Sequence, residues 1–303
     1  MKQKEFALGI DIGGTKVAFA LVDRQGNLEA LYTSESHADD AEKLFQIVLK
    51  GMNTVLESSA KQLEDLAGIG IGLPGKVDHQ NGVAIFQNNI PWPNFPIAAR
   101  LKASLRIDIP IAIDNDVKVA AYAEYRAANL LLDELFTYVT ISTGIANASI
   151  INHQILRGSG FSGETGFLPI SQNGKLEKLE NIVGGPAIAK AGQMVFNDPT
   201  ISTRLVFEKY LAADPQAVEI IENSAQSFAL GLYAIICVLD PAHITLGGSV
   251  AYHNPSFVTL IKQYLAELVH PEQSHILDRL TVSKIGGNNG VIGAGLLSFN
   301  QKI

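Results

Sequence analysis

The chain has 303 residues, 47% of them hydrophobic and 17% charged, with a net charge of −7 and a pI near 5.5. That length suggests two domains of roughly 100–200 residues each. The acidic balance excludes the basic face that a nucleic-acid or anionic-membrane partner requires. One cysteine, Cys237, excludes an internal disulfide and a cysteine-built zinc cluster. It lies in the apolar run Ala234–Leu239 and is expected to be a small buried hydrophobe. The charged N-terminus precedes an apolar stretch interrupted by Asp11, which does not read as a signal peptide. No run approaches the ~18 apolar residues of a bilayer span, so the expected location is cytoplasmic, with no membrane partner.

Phe6–Ile10 and Val17–Leu21 read as two strands joined by the tight turn of a hairpin, Asp11-Ile12-Gly13-Gly14-Thr15-Lys16. Gly13 and Gly14 remove side chains, so backbone N–H groups can approach a phosphate closely. Thr15 adds a hydroxyl and Lys16 a cation. Asp11 ends a buried strand, where a carboxylate is costly unless it meets a cation such as hydrated Mg²⁺. The turn is thus a candidate nucleotide-phosphate hairpin, and the plainer alternative is an ordinary Gly-Gly hairpin with a surface Asp. The Walker spacing is absent, and a strand, not a helix, follows the glycines, which rules out the Rossmann fingerprint.

A third strand is expected near Ala30–Thr33. A helix then covers about 40–58, its face made by Leu44, Ile47, Val48, Met52, Val55 and Leu56. Ile69–Ile71 is a buried strand entering Leu73-Pro74-Gly75, and an Asn- and Pro-rich loop follows over 87–96. Pro110–Ile113 is a further strand, ending at Asp114-Asn115-Asp116 and feeding an Ala-rich helix through Ala128. Such alternation predicts an α/β fold. The pattern then restarts with strand Phe136–Ile141, polar turn Ser142-Thr143-Gly144 and strand Ala148–Ile151. Two similar domains facing each other across a cleft follow from this repetition, each lending a phosphate-facing turn. Farther on come a core helix over 224–239, a strand Ile244–Leu246 entering Gly247-Gly248, and an amphipathic helix over 257–268. The last element is a small-residue helix from Gly290. The expected division is 1–116 and 117–289, the first domain closed by a helix over 290–303.

In order, Asp11–Lys16, Gly70–Gly75, Asn88–Trp92, Asn115-Asp116, Ser142–Gly144, Gly163–Gly166, Leu179-Glu180, Gly184–Ala187, Leu246–Gly248 and Gly293-Ala294 make a pattern. Over nearly the full length it resembles the sugar kinases of the ROK family, within the actin-like ATPase superfamily. The resemblance implies two actin-like (RNase H-like) domains with ATP in the cleft and a sugar beside it. It implies Asp116 as the catalytic base, Gly75, Asn89, Asn115, Asp116, Glu164 and Glu180 as sugar contacts, and a homodimer. The Gly13-Gly14-Thr15 and Thr143-Gly144 turns would hold phosphate oxygens, and Gly247 and Gly248 would leave room for the adenosine. Independently, a kinase needs a carboxylate within hydrogen-bond reach of the attacking hydroxyl. Asp114-Asn115-Asp116 could equally cap the following helix, though Asp114 or Asn115 suffices for that. Asn and Glu suit paired sugar hydroxyls. Lys175, Glu177 and Lys178 leave a solvent-exposed face open as the alternative for Glu180.

The chain departs from the family in three places. Phe167 stands where many relatives carry a His that touches the sugar and ligates zinc. The stretch 172–178 has neither Cys nor His in place of a Cys-rich zinc motif, so no structural zinc is expected. The second phosphate turn is glycine-poor, with Ala146-Asn147 in place of a Gly pair. Besides these three, Lys118 replaces a common Asn and would face Asp114 or a phosphate. The reaction implied is ATP-dependent phosphorylation of a hexose or N-acetylhexosamine at O6. The competing readings are a sugar-sensing regulator and a degenerate kinase. A strand starting by Phe6 leaves no room for the helix-turn-helix domain of family repressors.

Overall fold

The computed structural model describes residues 4–87, 89–106, 108–172 and 174–300. Asn88 of the Asn-rich motif, Asn173 of the zinc-free stretch and residues 301–303 of the expected last helix lie outside them. The chain divides into two compact units: 1–130 with 157–161 and 287–303, and 131–156 with 162–286.

Unit 1 begins with β1 (Phe6–Ile12), β2 (Lys16–Asp23) and β3 (Leu28–Glu35), followed by α1 (Ala41–Ser58) and β4 (Leu66–Leu73). The small hairpin β5 (Lys76–Asp78) and β6 (Val83–Phe86) precedes α2 (Ile97–Leu105), β7 (Ile111–Asn115) and α3 (Asp116–Ala128). The sheet order is β3-β2-β1-β4-β7, antiparallel through β3, β2 and β1 and parallel from β1 to β4 to β7. β1 and β4 are central and buried on both faces, hence their continuous apolar runs. Edge strand β3 alternates half-buried and exposed positions. Asp40 starts α1, its Oδ1 accepting from the N–H of Glu42 and of Lys43 at 2.8 Å each. Trp92 is fully buried, donates Nε1–H to the Ala41 carbonyl at 3.0 Å and stacks on Phe95 at 4.4 Å. That anchor fixes the loop carrying Asn89.

Unit 2 repeats the plan. Its strands are β8 (Phe136–Ile141), β9 (Ile145–Ile151), β10 (Gln154–Ile155) and the separate hairpin β11 (Pro169–Gln172) with β12 (Lys175–Lys178). Next come α4 (Glu180–Val183), α5 (Gly185–Phe196), α6 (Thr203–Leu211) and α7 (Pro215–Leu239). β13 (His243–Gly247), α8 (Gly248–His253), α9 (Pro255–Ala266), α10 (His275–Arg279) and β14 (Leu280–Val282) complete it. The sheet β10-β9-β8-β13-β14 has the same antiparallel-then-parallel pattern as the first.

α7 begins nine residues before the expected start, because Asp214 caps it through the N–H of Gln216 and Ala217 and Pro215 occupies its first turn. At 25 residues it is long and apolar enough to cross a bilayer by length and composition alone, although Glu219, Glu222, Asn223 and Gln226 keep it from being an unbroken apolar run. Ile221, Phe228, Leu232 and Ile236 on one face of it are nevertheless packed in the core of unit 2. Cys237 faces the other way and is exposed, which corrects its expected burial. The apolar run surrounding it is longer than the face that packs.

α11 (Asn289–Ser298) returns to unit 1. Its small residues admit backbone-to-backbone approach: a Cβ on Gly70 of β4 would lie 1.7 Å from the Ala294 carbonyl oxygen, and one on Gly293 would lie 1.7 Å from that of Val119. α3 is thereby held against α11. With that contact α3 stays in unit 1, which runs to 130. Gly293→Ala sets two effects in opposition. Helix propensity favours Ala by about 1 kcal/mol, but a backbone oxygen cannot yield as a side chain would. The expected net result is a loss of about 2–3 kcal/mol, measured by urea denaturation.

Candidate active site

In unit 1 the carboxyl ends of three adjacent strands bring the candidate residues together. Asp11 on β1 pairs in register with Gly72 on β4, and Gly72 with Asp114 on β7. A Cβ on Gly72 would sit 2.7 Å from Val119 Cγ2, 3.4 Å from Asp11 Oδ1 and 3.8 Å from the Asp116 Cα. The bare glycine therefore lets the first turn of α3 settle beside Asp11. Gly290 faces Asp11 from α11, where a Cβ would lie 2.4 Å from Oδ2. Burial pushes the Asp11 carboxyl up to about 6 from its ordinary 3.8, with Lys16 opposing.

The β1–β2 turn is closed by the Gly13 N–H donating to the Lys16 carbonyl at 2.9 Å. Ser36 clamps it from the side, its N–H donating to the Thr15 carbonyl at 2.9 Å and its hydroxyl to the Gly14 carbonyl at 2.6 Å. With these carbonyls engaged, N–H groups are what the turn has to offer an anion. Gly14, Thr15 and Lys16 are exposed. A Cβ on Gly14 would come 2.8 Å from Asn89 Cβ, so Asn89 lies directly against the turn.

Asn115 caps α3. Its Oδ1 accepts from the N–H of Val117 at 3.0 Å and of Lys118 at 3.4 Å, while Nδ2 donates to the Gly75 carbonyl at 3.0 Å. Gly75 has a φ of +79°, and a Cβ there would meet the Phe86 oxygen at 2.2 Å, so no other residue fits. Asp116 is the first residue of α3, half-buried, with Oδ1 accepting from the Val117 N–H at 2.8 Å. Asp114, buried, turns instead to Arg157, whose Nε and Nη2 reach its Oδ2 at 2.8 and 2.7 Å. The charged partner shown for Asp114 is thus an arginine 43 residues away, whereas the sequence pointed only to Lys118.

In unit 2, Thr143 is exposed at the tip of the β8–β9 turn, and the Ser142 N–H closes that turn on the Gly144 carbonyl at 3.0 Å. The Ser142 carbonyl accepts from the Gly185 N–H at 2.7 Å, which ties the turn to the start of α5. Glu180 is half-buried, and its Oε2 stands 3.2 Å from a Cβ placed on Gly144 and 2.9 Å from one on Gly166. It therefore lies beside the turn, not out on an exposed face. The Glu164 loop is pinned through Gly163, whose carbonyl accepts from the N–H of Asn147 at 2.7 Å and of Thr165 at 2.8 Å. Asn147, one of the residues replacing the Gly pair, is buried. Phe167 is exposed, with the Lys178 ammonium 4.4 Å from its ring centroid. Gly247 and Gly248 have a packing reason of their own. A Cβ on the first would lie 2.1 Å from the Tyr138 hydroxyl, and one on the second 2.3 Å from the Ile141 oxygen.

Two sheets of one topology, each opening with a hairpin that has a small polar turn, are the actin-like ATPase fold. The chain belongs to the ROK family, whose model matches residues 7–301. A glucokinase of Halalkalibacterium halodurans is 24% identical over 323 residues, covering 97% of this chain and 95% of that protein. An N-acetylmannosamine kinase of Haemophilus influenzae is 28% identical over 299 residues, covering 95% and 93%. Among solved structures, the ROK hexokinase from Thermus thermophilus superposes with a TM-score of 0.78 at 27% identity, covering 96% of this chain and 97% of that one.

Proposed function

We propose that this ATP-dependent sugar kinase transfers the γ-phosphoryl group in line to O6 of a hexose or N-acetylhexosamine, with Asp116 as general base. The observation that carries this reading is the division of labour at the start of α3. Asn115 holds the helix cap and the Gly75 tether, so capping does not require the Asp116 carboxylate beside it. That carboxylate accepts the hydroxyl proton as the sugar oxygen attacks phosphorus. Gly75, Asn89, Asn115, Glu164 and Glu180 hold the sugar hydroxyls. The Gly13-Gly14-Thr15 and Thr143-Gly144 turns take phosphate oxygens through backbone N–H groups other than that of Gly13, which closes its own turn on Lys16, and Gly247 and Gly248 border the adenosine.

Mg²⁺ belongs to this reading. Among the described residues no three of His, Cys, Asp and Glu cluster as an all-protein metal cage would need. Mg²⁺ does not require one, since it keeps waters and binds through one or two carboxylates plus substrate phosphates. A shielded carboxylate whose charge burial disfavours, as at Asp11, fits that donor role. When bound, the ion neutralises charge on the β- and γ-phosphates. A homodimer is also part of the reading, tested by light scattering for twice the 32.5 kDa chain mass.

A coupled ADP-release assay across neutral hexoses and N-acetylhexosamines tests the proposal. The exposed Phe167 ring supplies an apolar face where a His would read a hydroxyl edge. N-acetylmannosamine or another substituted sugar is therefore expected to exceed glucose in kcat/KM. Equal or better use of glucose overturns that preference, and the absence of ADP release with every sugar overturns kinase turnover in favour of a binding-only chain.

A further inference from the structure

Beside Asn115, unit 1 contains a cavity of about 350 Å³ whose charged lining is Lys76, His79, Lys118 and Arg157 against Asp78 and Asp114. Four basic side chains around one cavity stand out in a chain of net charge −7. With His79 neutral, three cations face two carboxylates, and the lining keeps one positive charge. Asp78 is folded into its own turn: Oδ1 accepts from the N–H of Gln80 at 3.1 Å and of Asn81 at 3.0 Å, and Oδ2 from Asn81 Nδ2 at 2.7 Å. Asp114 is taken up by the Arg157 guanidinium.

Lys118 is the least expected member. It is 5% exposed, a burial that lysines reach almost only when paired. It also sits in the first turn of α3, where the helix dipole disfavours a cation. The dipole, Lys118 and Arg157 thus add positive potential in one place. His79 registers it: burial first, then Arg157 and Lys118, hold its imidazole below the usual range, with Asp114 and Asp78 opposing. Lys76 reaches over from β5, its Cε 3.5 Å from a Cβ placed on Gly160.

We propose that this cavity is an anion-accepting subsite, formed by Lys76, Lys118 and Arg157, for a phosphate, sulfate or carboxylate group carried on the acceptor sugar. The inference rests on the reading above at one point: Asn115 lines the cavity and is also the proposed sugar contact. Asn115 is thus common to the proposed sugar site and the cavity, which puts the two side by side. The volume lies within the range of small-ligand sites and exceeds the need of a bare hydroxyl.

Calorimetry tests this with inorganic phosphate and with three hexoses that keep a free 6-hydroxyl: glucose 1-phosphate, N-sulfoglucosamine and 3-O-carboxymethylglucose, each against glucose. At least one is expected to bind about tenfold or more tightly than glucose, the size of one charge-assisted hydrogen bond. The ratio of the two Kd values is expected to fall about fivefold in Lys76→Gln and in Lys118→Gln. A ratio within one variant cancels a general loss of folding, and the exposed Lys76 is readable even if the buried Lys118 does not tolerate change. Phosphate binding that Lys76→Gln removes, with no anionic sugar preferred, supports the subsite and assigns it to a free anion. Anionic sugars and phosphate no better than glucose, or a preference that both substitutions leave intact, overturns it. ADP release is read in parallel: a chain that binds phosphate here but phosphorylates no sugar refutes the kinase reading and leaves the subsite standing.

Discussion

Asp116→Asn is expected to lower kcat by about 10²–10⁴-fold, the range for removing a positioned general base, while sugar affinity by calorimetry changes less than about threefold. Asn keeps the size and an acceptor oxygen, so the Val117 N–H retains its partner at the position now held by Oδ1. What disappears is the ability to take a proton. A carboxylate in the first turn also favours the helix dipole, so stability is expected to fall by only about 0.3–1 kcal/mol. Asn115→Ala is the informative contrast. It removes the cap and the tether to Gly75, costs about 1 kcal/mol or more in stability, and raises KM along with its effect on kcat. An Asp116→Asn chain that loses stability but turns over normally would reduce Asp116 to a helix-end charge and end its assignment as the base.

The elements were legible because their signals are local. The Leu44-to-Val55 spacing gives the buried face of α1, and the glycines of Gly290–Gly295 announce a helix built for close approach. The Asp11, Asn115 and Asp116 cluster was legible for a related reason: each ends or follows a buried strand, and parallel neighbours put such ends on one edge. Partnership across distance was not. Arg157 lies in a loop after β10, 43 residues beyond Asp114, and nothing in its neighbours gives its direction. The adenosine reading of Gly247 and Gly248 likewise left out Tyr138 and Ile141, since a clash with a neighbouring strand leaves no periodic trace. Cys237 was misjudged because an apolar run does not say which of its faces packs.

Asp11→Asn is expected to move stability and activity in opposite directions. The carboxyl titrates at about 6 in the folded chain against 3.8 ordinarily, so the folded state holds that proton more tightly than the unfolded one. The resulting stabilisation is complete below about pH 4 and is lost as pH rises through 6. At pH 7.5 the native chain therefore bears a charge that its surroundings disfavour by on the order of 2–3 kcal/mol. Asn has no charge to bury. In urea denaturation the variant is expected to match the native chain only below about pH 4 and to exceed it by about 2–3 kcal/mol at pH 7.5. The same substitution deprives the phosphate turn of its carboxylate, and kcat/KM is expected to fall by about 10²-fold or more. ATP with Mg²⁺ should then raise the melting temperature of the native chain well above that of the variant, because binding to the folded state alone stabilises it. Parallel stability curves across pH would show that the Asp11 charge is already compensated within the protein. Equal ATP–Mg²⁺ stabilisation of both chains would remove Asp11 from the metal's surroundings. Burial makes the carboxylate a liability in the empty protein, and the same burial makes it worth keeping once a divalent cation stands beside it.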